Sequence, residues 1–134
     1  MAIWQFNFYL VPQDKAEFSK NGLSAASLAL IKQKFPLGKS WSKNLTVLGN
    51  LDETCLSFWG SIEKCDEIEY RLDLRALKKE DATAILDFAS ENGLVIELEN
   101  ERLKPTLECL KSHILSSPAY RFVKNPEDYL NSLT

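Results

Sequence analysis

Five charged residues at alternate positions form the one constellation in this chain that could do chemistry: Glu67, Glu69, Arg71, Asp73 and Arg75. On an extended strand such residues share a face and stand roughly 6.5–7 Å apart. Carboxylates at that spacing can exchange protons, and Asp73, between two arginines, has a lowered pKa. A catalytic acid at neutral pH needs the opposite: burial or a like charge that raises its pKa. The same pattern serves equally well as a solvated sheet face whose cross-strand ion pairs contribute a few tenths of a kcal/mol each. It also serves as a docking surface for a charged partner. All three roles remain open at this level.

The rest of the chemical inventory is thin. His113 is the single histidine, so a histidine-based triad or metal site would need Cys or Asp to complete it; its neighbours Leu110 and Ile114 are core-like, which suits a helix-boundary position. Cys55, Cys65 and Cys109 are odd in number, and their spacings of 10 and 44 match no zinc or redox pattern. Reduced, mostly buried thiols follow, with Cys55 and Cys65 across a hairpin as the one geometry that would permit a bridge. The five glycines are isolated turn residues, and neither Gly-x-Ser-x-Gly nor His-Glu-x-x-His occurs. No cofactor or metal is implied. Trp41 sits among Lys39, Ser40, Ser42 and Lys43, where it either anchors its loop on the core or offers a partner an aromatic contact.

These residues must be positioned by strands and helices that the periodicity outlines. Trp4, Phe6, Phe8 and Leu10 alternate with Gln5, Asn7 and Tyr9 up to Pro12, a period-two strand. Gln13 to Gly22 is polar, a loop or short helical turn. Ser24 caps a helix with Leu28, Ile31 and Phe35 on one face, stopped by Pro36-Leu37-Gly38. Thr54 to Trp59 is a second strand, and Ile62 to Arg75 a long third one with a bulge near Cys65-Asp66. In its second half Ile68, Tyr70, Leu72 and Leu74 oppose the charged residues, as in a sheet wet on one side. Glu80 to Glu91 is helical, with Ala82, Ile85, Leu86 and Ala89 inward. Leu94 to Glu99 alternates again, with Glu97 and Glu99 outward. Strand, helix and strand at this spacing predict a right-handed crossover between parallel strands. Pro105 opens a helix carrying Leu107, Leu110, Ile114 and Leu115, which ends at Ser116-Ser117-Pro118. Asn125-Pro126 starts a last one with Tyr129, Leu130 and Leu133.

The expected fold is therefore α+β and a single domain over residues 1–134. Its one mixed, largely antiparallel sheet has four strands, or five if Leu45 to Leu48 also pairs. Helices cover one face, in the order β-α-β-β-α-β-α-α. At this length roughly two-thirds of the unfolded surface is buried, so the core needs no metal or disulfide.

Charge narrows the partner. Residues 52–101 hold 14 acidic against 5 basic residues, a balance of −9, whereas residues 1–51 carry +4 and residues 102–134 carry +2. A field of one sign argues against nucleic acid as ligand and for a basic protein surface. The longest nearly uncharged stretch, Leu23 to Ile31, is too short to span a bilayer. The opening residues have no basic region or long apolar run, so a cytoplasmic protein is expected.

Three segments look familiar together: Phe58-Trp59-Gly60, the run Tyr70-Arg71-Leu72-Asp73-Leu74-Arg75, and the tail from Ser117-Pro118-Ala119-Tyr120 to Asp128-Tyr129-Leu130. Over about the last 80 residues the chain resembles small bacterial proteins of the immunity type, from contact-dependent inhibition and other polymorphic toxin systems. The resemblance implies a non-enzymatic cytosolic protein that binds and blocks a cognate toxin domain, a nuclease for example, and it brings no catalytic residues. The expected partner-binding residues are Glu67, Glu69, Arg71, Asp73, Arg75, Glu97, Glu99 and Trp41. The rival expectations are a small enzyme or ligand-binding domain, whose paired arginines 71 and 75 would hold a carboxylate or phosphate, and a self-associating subunit that buries the same face. Oligomeric state is not legible at this stage.

Overall fold

A computed structural model describes residues 2–132, the side chains of 128, 129 and 132 excepted. Six strands form one sheet in the order β2-β3-β4-β1-β5-β6, with every neighbouring pair antiparallel. They are β1 (Gln5–Pro12), β2 (Leu45–Gly49), β3 (Cys55–Trp59), β4 (Ile68–Asp73), β5 (Leu94–Leu98) and β6 (Glu101–Leu103). The helices are α1 (Lys15–Asn21), α2 (Ala25–Lys34), α3 (Lys79–Glu91), α4 (Leu107–Leu115), α5 (Pro118–Lys124) and α6 (Pro126–Ser132). The α+β class with one sheet stands; the sheet has six strands instead of four or five, and it is antiparallel throughout.

The crossover shows why. β4 and β5 do run the same way, joined through α3, but β1 lies between them and pairs with both. β1 is the most regularly alternating aromatic strand; β4 pairs with it along Gln5 to Leu10 and β5 along Tyr9 to Pro12, so Leu10 is flanked on both sides, and Phe6, Phe8 and Leu10 are all buried. Phe8 and Tyr70 meet edge to face, 5.0 Å between ring centroids.

Helices α1 to α5 bring Phe18, Leu28, Ile31, Ile85, Leu86, Leu110, Ile114 and Ala119 into one core with the inward residues of the sheet. Ser24 accepts from the Ser27 amide at the start of α2, as its hydroxyl predicts. The Gln13–Gly22 stretch is a true helix, capped by Asp14 and held by a single buried phenylalanine, Phe18. Gly22 ends it at φ 64, where an added Cβ would stand 2.6 Å from the Glu63 carbonyl oxygen. That close approach and the Leu23 N–H to Glu63 C=O bond tie the α1–α2 corner to the segment before β4. Residues Ile62–Lys64 are consequently a 3-10 turn, and the long third strand shortens to β4.

Other expectations move in detail. Leu107 and Leu115 of α4 are exposed, because only Leu110 and Ile114 reach the core from this nine-residue helix. α5 begins at Pro118, the residue taken to stop α4, with Ser117 as its cap. On α6 Leu130 is exposed, whereas Leu133 and the Tyr129 side chain lie outside the described residues. The cysteines are free thiols; Cys65 sits in the turn before β4, and Cys55 lies opposite Arg71, so the two do not face each other across a hairpin. Residues 36–38 lie along the outer edge of β2, with a Leu37–Leu48 bridge and a Gly38 N–H to Val47 C=O bond of 2.8 Å. No helix is long and apolar enough to cross a membrane, among the described residues.

Candidate functional site

All the core helices pack on one face of the sheet, so the other face carries the outward residues of the central strands. Register fixes their neighbours. Asn7 is opposite Arg71, which is opposite Cys55; Tyr9 is opposite Glu69 on one side and Glu97 on the other; Glu97 is opposite Arg102.

Glu69 is the hub. Its Oε1 accepts from Arg71 Nε at 2.9 Å, and its Oε2 accepts from the Tyr9 hydroxyl at 3.2 Å and from Asn7 Nδ2 at 3.5 Å. Glu69 and Arg71 are both about one-fifth exposed, so the pair is shielded but not removed from water. Burial raises the Tyr9 pKa, and the Glu69 carboxylate raises it further. Beneath Arg71, burial pushes the Cys55 thiol up to about 11, with the guanidinium pulling weakly the other way. Leu45, Val47 and Cys55 form a small apolar island on this face, covered by Leu51.

Asp73 and Arg75 depart from the expected strand. β4 ends at Asp73, whose buried carboxylate caps a 3-10 turn (Leu74–Ala76) through the Arg75 amide at 2.9 Å. The alternation of charge runs on into that turn, which is why Arg75 looked like a strand residue. Its guanidinium donates to both Asp73 oxygens, at 3.0 and 2.9 Å, and lies 3.9 Å from the centre of the Trp4 ring. Burial works to raise the Asp73 pKa, but the hydrogen bonds and charge of Arg75 outweigh it, and the net shift is downward. Asp73 is thus an internal strut and not part of a solvated face. Arg71 and Arg75 are committed to different carboxylates, so no paired-guanidinium pocket forms.

The remaining predicted residues frame the face. Glu67 precedes β4 and is exposed. Glu97 is partly exposed and lies 3.7 Å from Arg102. Glu99 occupies the β5–β6 turn. Trp41, 71% exposed, stacks edge to face on Trp59 at 5.2 Å; Trp59 is itself 49% exposed at the end of β3. Glu69 and Arg71 are therefore neighbours on β4, with Glu67 just before that strand and Glu97 two strands away across Tyr9, whereas Arg75, Glu99 and Trp41 lie apart from them. Asn7, Tyr9 and Trp59 are site residues that sequence reasoning missed. The alternation of β1 had turned Asn7 and Tyr9 outward, but only strand adjacency brings them onto Glu69.

The acidic middle segment is not one patch. Glu80, Asp87 and Glu91 are exposed on α3, behind the sheet, whereas Asp66, Glu67, Glu97, Glu99 and Glu101 lie toward the β5–β6 side. Among the described residues no group of three His, Cys, Asp or Glu side chains is placed to hold a metal ion. No protein-family model matches the chain, and no curated protein or solved structure is significantly similar to it.

Proposed function

We propose that this is a non-enzymatic binding protein of the immunity type, acting in the cytoplasm, which neutralises a basic toxin domain, such as a nuclease, through the open face of its sheet. The observation that carries the reading is that face itself. Among the described residues no helix packs over it, it holds a pre-ordered Glu69–Arg71–Tyr9–Asn7 network, and the exposed Trp41–Trp59 pair flanks it. Rigid polar groups beside exposed aromatics suit a protein interface, in which tryptophan supplies anchoring area and charge sets orientation and rate. Glu67 and Glu97 supply the exposed negative charge toward a cationic partner.

The product of the adjacent gene is the partner to test. Wild type should capture it and block its toxicity. Glu67→Lys combined with Glu97→Lys should slow association by at least roughly tenfold at low salt, and the difference should shrink as the Debye length falls to about 8 Å at physiological ionic strength. Failure of the wild type to bind a basic neighbouring product would sink the reading. Equal rates for the two forms would move the interface off this face.

A further inference from the structure

Asn-Gly occurs twice in the chain, and both times the next residue is leucine: Asn21-Gly22-Leu23 and Asn92-Gly93-Leu94. Both dipeptides sit where a helix ends, and both glycines have φ 64. Glycine after asparagine leaves the main-chain N–H unshielded by a side chain, so that it can attack the asparagine amide carbon when the chain turns to allow it. The two sites share their local chemistry, and the surrounding structure alone sets them apart.

The Asn92 amide is held at both ends. Its Oδ1 accepts from the Ser24 N–H at 2.7 Å, and its Nδ2 donates to the Phe88 carbonyl at 2.8 Å. These bonds join the start of α2 to the end of α3, a 13-residue helix with five buried residues, and the Gly93 carbonyl accepts from Gln13 N–H at 2.9 Å on the way into β5. An amide fixed in this way cannot turn its carbon onto the next N–H unless α2, α3 and β5 part. Asn21 is exposed, and among the described residues its side chain makes no hydrogen bond. What restrains this site is the Gly22 N–H, which donates to the Phe18 carbonyl at 2.7 Å. That bond closes the last turn of α1, a seven-residue helix with Phe18 as its one buried residue. Such an end opens at low cost, whereas a core element opens only near the cost of global unfolding.

We propose that Asn21 is a site of spontaneous deamidation and that Asn92, in the same tripeptide, is protected by its hydrogen bonds. When the last turn of α1 opens, the Gly22 nitrogen bonds to Asn21 Cγ and gives up its proton. The Cγ–Nδ2 bond breaks, and ammonia leaves with that proton. Water then opens the cyclic imide at either carbonyl. The product is aspartate, or isoaspartate, in which the main chain runs through Cβ and Cγ. No electrons are exchanged, and water is the one co-reactant. Either product adds a carboxylate to a cleft already lined by Asp14, Glu17 and Glu91. Isoaspartate also lengthens the main chain by a methylene just before Gly22, whose close approach to the Glu63 carbonyl leaves little room for a shift.

The test is to incubate the intact protein at physiological temperature and mildly alkaline pH, then to digest it and follow both peptides by mass. Asn21 should convert from amide to acid at least roughly tenfold faster than Asn92, and in denaturant the two rates should converge to within about threefold. Asp14→Ala removes the α1 cap and should quicken Asn21 by about threefold or more without changing Asn92. Asn21→Gln, whose amide carbon stands one bond further from the Gly22 nitrogen, should stop the acidic form from appearing on ion exchange over the same period. Absence of conversion at Asn21, conversion of Asn92 at the same pace in the folded protein, or an Asn21 rate that Asp14→Ala leaves unchanged would overturn the proposal.

Discussion

The two faces of the sheet are built by the same strands yet held by different physics. On β4, Ile68, Tyr70 and Leu72 turn inward and are fully buried, whereas Glu69 and Arg71 turn outward and are partly wet. The inward set gains from area removed from water, roughly 25 cal/mol per Å², and carries no charge for salt to screen. The outward set gains little in stability, since ion pairs this exposed contribute at most about 1 kcal/mol. What it gains is geometry: Glu69 fixes Arg71, Tyr9 and Asn7 at once. One face of a strand can therefore be tuned for a partner while the other holds the fold.

The largest break of this contrast is Leu72→Ala. It opens a cavity among Phe6, Leu74 and their neighbours and should cost roughly 2–4 kcal/mol by chemical denaturation, with the m-value unchanged. A cost under about 1 kcal/mol would mean that the inward face is not the source of stability.

Asp73→Asn tests the one carboxylate that crosses the divide, charged yet buried. It leaves the strand but weakens the cap and the Arg75 pair, so about 1–2 kcal/mol should be lost. Its pH dependence has a definite sign. The folded-state pKa is depressed, so the stabilisation is complete above the unfolded value of roughly 3.9 and is lost as pH falls through the lower folded one. Wild type should therefore lose its advantage over Asp73→Asn on acidification below about pH 4, and a constant gap between the two across that window would refute the assignment.

The smallest effect sharpens the contrast from the outside. Glu67→Lys should change stability by under about 0.5 kcal/mol, because the residue is exposed and forms no ion pair among the described residues. A larger loss, measured by thermal melting, would show that the open face carries folding energy after all.

Much of this arrangement was legible in sequence. The period-two patterns of β1, β4 and β5, the Ser24 cap and the apolar stripe of α3 are local, and each holds in the structure. What was not legible is long-range or weakly patterned. Insertion of β1 between β4 and β5 depends on contacts some sixty to ninety residues apart, which no local period reports. β6 is three residues, Glu101–Leu103, two of them charged, and it exists because β5 folds back on it. α1 buries only Phe18, too little to show as a stripe. At the site, alternation placed Glu69 and Arg71 correctly but ran on past the end of β4, so Arg75 was assigned to the wrong surroundings. The unpartnered Asn7 side-chain oxygen had no sequence signal at all.

The central place of β1 also sets a clock for synthesis. The strand leaves the ribosome before both of its neighbours, and its second partner is complete only when Leu98 has been made. At roughly 5–20 residues per second the interval is on the order of 5–20 s. For most of it, until Asp73 has been made, Phe6, Phe8 and Leu10 have no β4 to pair with. A nascent chain with three unpaired apolar side chains on a β-prone segment is a natural client for a holding chaperone, and a stall anywhere before residue 68 would leave that segment the stickiest part of the molecule.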